Sequence, residues 1–133
     1  MLLQHMHEND IATLVVDVAY KVHTVLGPGL LESVYEAAMV YEFDKRGIRY
    51  ERQLPCPVPY EDVILSRDGF RMDFLVESKV IVEVKSVETV AKVVPKTVLT
   101  YLNLFRKKLA MLINFNVVLI KDGIQRIMSD LKR

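Results

Sequence analysis

The stretch Arg71–Val87, RMDFLVESKVIVEVKSV, is apolar enough for the middle of a β-sheet, yet it carries Asp73, Glu83 and Lys85 among its valines. If FRMDFLV and VIVEVK pair antiparallel about a loop at Glu77–Lys79, then Val76 faces Val80, Leu75 faces Ile81, Phe74 faces Val82, and Asp73 falls opposite Glu83. Directly opposed residues project on one face with Cβ atoms roughly 4.5–5.5 Å apart. Lys85, two residues past Glu83, shares that face. Two carboxylates and an ammonium therefore meet at one end of a hairpin.

Carboxylates that close repel each other unless a positive charge lies between them. An all-oxygen donor set favours a hard ion, Mg²⁺ or Mn²⁺, which keeps waters that can attack a phosphate. Lys85 would then position the water or neutralise charge developing on the phosphate oxygens. The same spacing also fits a simpler arrangement, an Asp73–Lys85 ion pair on the solvated face of the hairpin.

The elements that must position these groups are legible from periodicity. Ile11, Leu14, Val15, Val18, Ala19, Val22, Val25 and Leu26 recur at helical spacing, which predicts a helix over Asp10–Leu26 with Asn9 or Asp10 as N-cap. Gly27-Pro28-Gly29 stops it. A second helix is predicted from about Leu31 to Arg46, with Leu31, Val34, Tyr35, Ala38 and Met39 inward and Gly47 as its stop. From Tyr50 to Lys85 the period becomes strand-like, with Asp68-Gly69 and Glu77–Lys79 as turn formers. Pro55, Pro57 and Pro59 suit an edge strand.

Beyond the hairpin, Pro95 fits the first turn of a third helix reaching about Lys108, with Val98, Leu99, Leu102 and Phe105 buried. Leu109–Phe115 reads as a strand covered on both faces, and a last strand includes Gly123–Met128. The expected fold is an α/β sandwich with a mixed sheet, in which the third helix joins two parallel neighbouring strands.

Composition sets bounds on this reading. The chain of 133 residues, 51% apolar, is one domain's worth of sequence, so a single unit over residues 1–133 is expected. Eighteen basic and 17 acidic residues nearly cancel, so any nucleic-acid surface is a local patch. One cysteine, Cys56, allows no internal disulfide. MLLQHMHEND lacks the pattern of a signal peptide, and no apolar run approaches the roughly 20 residues of a membrane span. A cytoplasmic location without membrane association is the expectation.

Other candidates carry less. His5 and His7 lie near the terminus and His23 is isolated on a helix, so they do not read as a metal site. Cys56, flanked by prolines, has no histidine nearby in sequence to activate it. Lys92 and Lys96 begin the third helix and are candidates for phosphate binding, ahead of Arg49, Arg52 and Arg106–Lys108.

Asp73, nine intervening residues, then Glu83-Val84-Lys85 resembles the PD-(D/E)XK nuclease superfamily. Gly29-Leu-Leu-Glu32-Ser-Val-Tyr35 resembles the signature of its GxxExxY branch, and the likeness extends through LTYL, LINF and KDGIQRI. The resemblance implies a restriction-endonuclease-like core in which Asp73 and Glu83 hold Mg²⁺ or Mn²⁺ and Lys85 assists the nucleophile. It further implies the Val84 backbone carbonyl as a metal ligand, Glu32 as an acidic partner from the helix, and Tyr35 in a supporting role. Many members carry a glutamine four residues before a tyrosine on the helix after the lysine strand. Here Thr97 stands at that distance before Tyr101.

Two functions follow from the resemblance. One is a metal-dependent endo- or exonuclease acting on DNA or RNA through Glu32, Asp73, Glu83 and Lys85. The other is a weakly active or inactive nucleic-acid-binding or assembly module on the same fold, as Thr97 and the near-neutral charge suggest. Exposed strand edges and the apolar first helix are compatible with a homodimer.

Overall fold

The computed structural model describes residues 6–130; His5 and the start of the chain lie outside them. In chain order it holds α1 (Glu8–Leu26), α2 (Glu32–Arg46), β1 (Tyr50–Tyr60), β2 (Val63–Val76), β3 (Val80–Lys85), α3 (Val93–Phe105), β4 (Leu109–Asn114) and β5 (Ile124–Met128). The strands form a five-stranded sheet in the order β1-β2-β3-β4-β5. β3 and β4 run parallel, bridged by α3, and the other neighbours are antiparallel. This is an α/β fold with a mixed sheet, consistent with the expected nuclease core.

Each face of the sheet buries its own apolar layer. Phe74, Val82, Val84, Met111 and Ile113 pack with α1 and α2, while Leu75, Ile81, Ala110 and Leu112 pack with Val98 and Leu102 of α3. β4, covered on both sides, is buried at every position. The hairpin register is the expected one: Val76↔Val80, Leu75↔Ile81 and Phe74↔Val82.

Local differences from the expected elements have identifiable causes. α1 starts earlier than its apolar stripe suggests, because His7 is its N-cap: the His7 ring accepts from Asn9 N–H at 3.0 Å and Asp10 accepts from His7 N–H at 3.3 Å. Asn9 instead takes Arg126 of β5 at 2.6 Å. At α2, the N-cap Leu31 is 73% exposed and Val34 is also outside, whereas Tyr35, Met39 and Phe43 point in. Aromatic contacts set that rotation: Tyr35 stacks on Phe115 at 4.5 Å and Phe43 packs edge-on to Phe74.

Asp68-Gly69 is not a turn. β2 runs through it, and a Cβ at Gly69 would collide with the Val58 side chain of β1, so the glycine serves close strand approach. The reversal lies at Glu61-Asp62 instead. α3 ends at Phe105, short of Lys108, because Arg106 adopts a left-handed conformation.

Candidate active site

At the open end of the β2–β3 hairpin the regular ladder stops at Phe74↔Val82. Beyond it the side chains take over the hydrogen bonding. Asp73 N–H donates to Glu83 Oε2 at 3.2 Å, and Val84 N–H donates to Asp73 Oδ2 at 2.8 Å. The Asp73 carboxylate thus occupies the place of a ladder carbonyl, which holds it against Glu83.

Glu83 is 6% exposed. Burial pushes its pKa up to about 9, reinforced by the hydrogen bond from its side chain to Asp73 and by the Asp73 charge, with Lys85 pulling the other way. At neutral pH Glu83 therefore favours its protonated form, burial being the larger cause and the neighbouring Asp73 adding to it. Among the described residues Lys85 has no carboxylate within ion-pairing distance. The simple Asp73–Lys85 ion pair is absent because Asp73 is turned to Glu83 and the backbone.

These groups line a cleft of about 180 Å³, with Glu32, Arg71, Thr97 and Tyr101 around them. A larger cavity of about 380 Å³ lies between α1 and α2, lined chiefly by Val22, Val25, Leu26, Ala38 and Tyr41, with Lys21, Glu42 and Lys45 but no pair of carboxylates. Chemistry and not size marks the cleft as the candidate site.

The elements converge on it for local reasons. Tyr35 is fully buried outside the cleft and latches the glycine loop: its hydroxyl donates to Gly27 C=O at 2.6 Å and accepts from Leu30 N–H at 3.1 Å. Gly27 and Gly29 have φ of +73° and +97°, angles that favour glycine. Ser86, just past β3, grips the same loop through Leu30 C=O at 2.5 Å, and its N–H donates to Glu32 Oε2 at 3.3 Å. Glu32 is thereby placed at the cleft by α2 but faces Ser86.

Tyr101 stacks on Phe70 at 4.5 Å, and burial followed by the charges of Glu83 and Asp73 raises its pKa. Thr97 lines the cleft, but its hydroxyl donates to Val93 C=O at 3.1 Å, within its own helix. Lys92 and Lys96 are exposed and lie outside the cleft lining.

Sequence reasoning missed Arg71, Gln53, Glu36 and Ser86. Arg71 lines the cleft mouth and donates to Gln53 C=O at 2.9 Å. Glu36 and Gln53 could have been found as polar residues in the apolar rhythm of α2 and opposite Asp73 on β1, but periodicity alone gives them no partner.

The donor set accommodates a hard divalent ion. Asp73 and Glu83 are neighbouring carboxyl groups, Glu83 kept protonated chiefly by burial, and as oxygen ligands they suit a cation that would replace that proton. Among the described residues no three His, Cys, Asp or Glu side chains are gathered closely enough to hold an ion unaided. Such a donor set suits an ion that retains much of its water.

A model of the PD-(D/E)XK nuclease superfamily matches residues 9–127. The chain belongs to this superfamily. The match runs from α1 to β5 and so includes the whole cleft of this nuclease-superfamily domain. Comparison with curated proteins and with solved structures gave no match. Among the described residues no helix is long and apolar enough to cross a membrane.

Proposed function

We propose that this superfamily member hydrolyses phosphodiester bonds of nucleic acid, DNA or RNA, with Mg²⁺ or Mn²⁺ held by Asp73 and Glu83 and completed by the Val84 carbonyl. The observation that carries the reading is the meeting of Asp73 and Glu83 at the open end of the hairpin, in one cleft with Lys85, which among the described residues has no carboxylate within ion-pairing distance. The Gly29-x-x-Glu32-x-x-Tyr35 segment, with Tyr35 latching the loop before Glu32, supports placing the chain in the GxxExxY branch.

The ion supplies a polarising charge for the phosphate oxygens and for the attacking water. The chain's residues do the rest. Asp73 is fixed by the Val84 amide and presents its remaining lone pairs to the cleft. Glu83 would hold the ion in its ionised form, giving up the proton that burial favours. Lys85 donates hydrogen bonds to the attacking water or to the charge developing on phosphorus oxygens, and Arg71 at the mouth meets the phosphate from the solvent side. Glu32, held toward Ser86, adds its negative charge to the cleft lining from the α2 terminus.

A second reading, a binding or assembly module with little turnover, is favoured by Thr97, whose hydroxyl donates within α3 to Val93 C=O. Cleavage of plasmid, single-stranded DNA and RNA in Mg²⁺ or Mn²⁺ separates the two. The nuclease reading expects activity that Asp73→Ala and Lys85→Ala abolish in folded protein. Cleavage unchanged in both variants overturns it, and metal-independent binding that survives Asp73→Ala supports the module.

A further inference from the structure

We infer that Gln53 is the positioning residue for Asp73, tethering through its side-chain amide the carboxylate to Glu36 of α2 and fixing the plane it presents to a divalent cation. The inference rests on the metal-site reading above and concerns β1, which contributes none of the residues in that mechanism.

The register places the two residues together. Arg52↔Phe74 and Leu54↔Met72 flank them, so Gln53 lies directly across from Asp73. At this pair the hairpin turns over. Tyr50, Phe74 and Val76 pack on the α1/α2 side, whereas Leu54, Cys56, Phe70 and Met72, also even-numbered, pack on the α3 side. Gln53 makes that switch with φ of +52°, a left-handed conformation that side chains other than glycine and asparagine rarely adopt. The kink also turns its carbonyl to the Arg71 guanidinium at 2.9 Å.

A glycine would make the kink more easily, so the side chain needs its own reason. Its Nε2 lies 2.9 Å from Glu36 Oε1 and 3.3 Å from Asp73 Oδ1. The amide nitrogen has two hydrogens, one for each carboxylate, and the neighbours fix which way the amide faces. Glu36 is itself 6% exposed and held by Arg52 Nε at 3.3 Å, so the far end of the tether is anchored in α2. With Oδ2 held by the Val84 amide and Oδ1 by Gln53, the Asp73 carboxylate cannot rotate about its own axis. A strained backbone at a cleft, with a side chain oriented on a ligand, is how outer partners tune a metal site.

The test compares wild type, Gln53→Gly, Gln53→Asn and Asp73→Ala by Mn²⁺ titration and thermal unfolding. Both Gln53 variants tolerate the left-handed backbone, and neither can span Glu36 to Asp73. The expected result is unfolding at or above the wild-type temperature for Gln53→Gly, with Mn²⁺ bound about 10-fold more weakly or worse in both. Asp73→Ala loses the ion. Mn²⁺ affinity within about twofold of wild type in a folded Gln53 variant, with Asp73→Ala devoid of binding, overturns the role of Gln53 and leaves the metal site standing. Wild-type affinity in Asp73→Ala overturns the metal site itself, and the assignment of Gln53 with it.

Discussion

Asp73 and Glu83 touch across the β2–β3 hairpin where the backbone ladder has ended, Asp73 N–H on Glu83 Oε2 at 3.2 Å, and burial beside Asp73 pushes the Glu83 pKa up to about 9. A buried carboxylic acid in contact with a carboxylate is a poor way to stabilise a sheet and a good way to receive a cation.

The raised pKa has a stability consequence. Folded Glu83 keeps its proton up to about 9, while the unfolded chain loses it near 4.5. Between those values the native state binds more protons than the unfolded state, so stability present below about pH 4.5 falls as pH rises towards 9. Glu83→Gln, which mimics the protonated acid, should remove the decline and be about 1–3 kcal/mol more stable than wild type at pH 8 without divalent ions. Urea unfolding at pH 5 and pH 8 checks it; parallel curves for both proteins would sink it.

Tyr35 is expected to act on the site from a distance. Tyr35→Phe keeps the stack on Phe115 but removes the bonds to Gly27 C=O and Leu30 N–H, at a cost of about 1–3 kcal/mol. Because the loop it latches leads into Glu32, the variant should also lose activity in excess of its unfolded fraction. Denaturation measured beside cleavage separates the two effects.

The hairpin turn depends on Glu77. Its side chain is fully buried and accepts from Arg49 through the backbone N–H at 2.7 Å and the guanidinium at 3.1 and 3.3 Å. Glu77→Ala should cost about 2–3 kcal/mol, a figure set by the charge-assisted bonds it removes. Unfolding by guanidinium chloride reads this directly, and a loss near zero would show that water replaces the carboxylate.

Much of this molecule was legible in its sequence because periodicity and register are strict. The hairpin pairing of Val76 with Val80 follows from the loop at Glu77–Lys79, and the parallel β3–β4 pair follows from a helix between two apolar runs. That same register brought Asp73 to Glu83. What was not legible depends on tertiary contacts: the rotation of α2 set by Tyr35 on Phe115, the cap from His7, and the passage of β2 through Asp68-Gly69 against Val58. Gln53 is visible only as a polar residue opposite Asp73; its left-handed backbone and the bond its carbonyl accepts from Arg71 have no periodic signature.

A divalent cation bound at Asp73 and Glu83 should replace the proton that burial keeps on Glu83. The most direct test is calorimetric titration of Mg²⁺ and Mn²⁺ at pH 7.5 in buffers of different ionisation enthalpy, which counts protons released on binding. Wild type should release about one proton, Glu83→Gln none, and Asp73→Ala should not bind. Binding to wild type without proton release, or undiminished binding by Asp73→Ala, would contradict it.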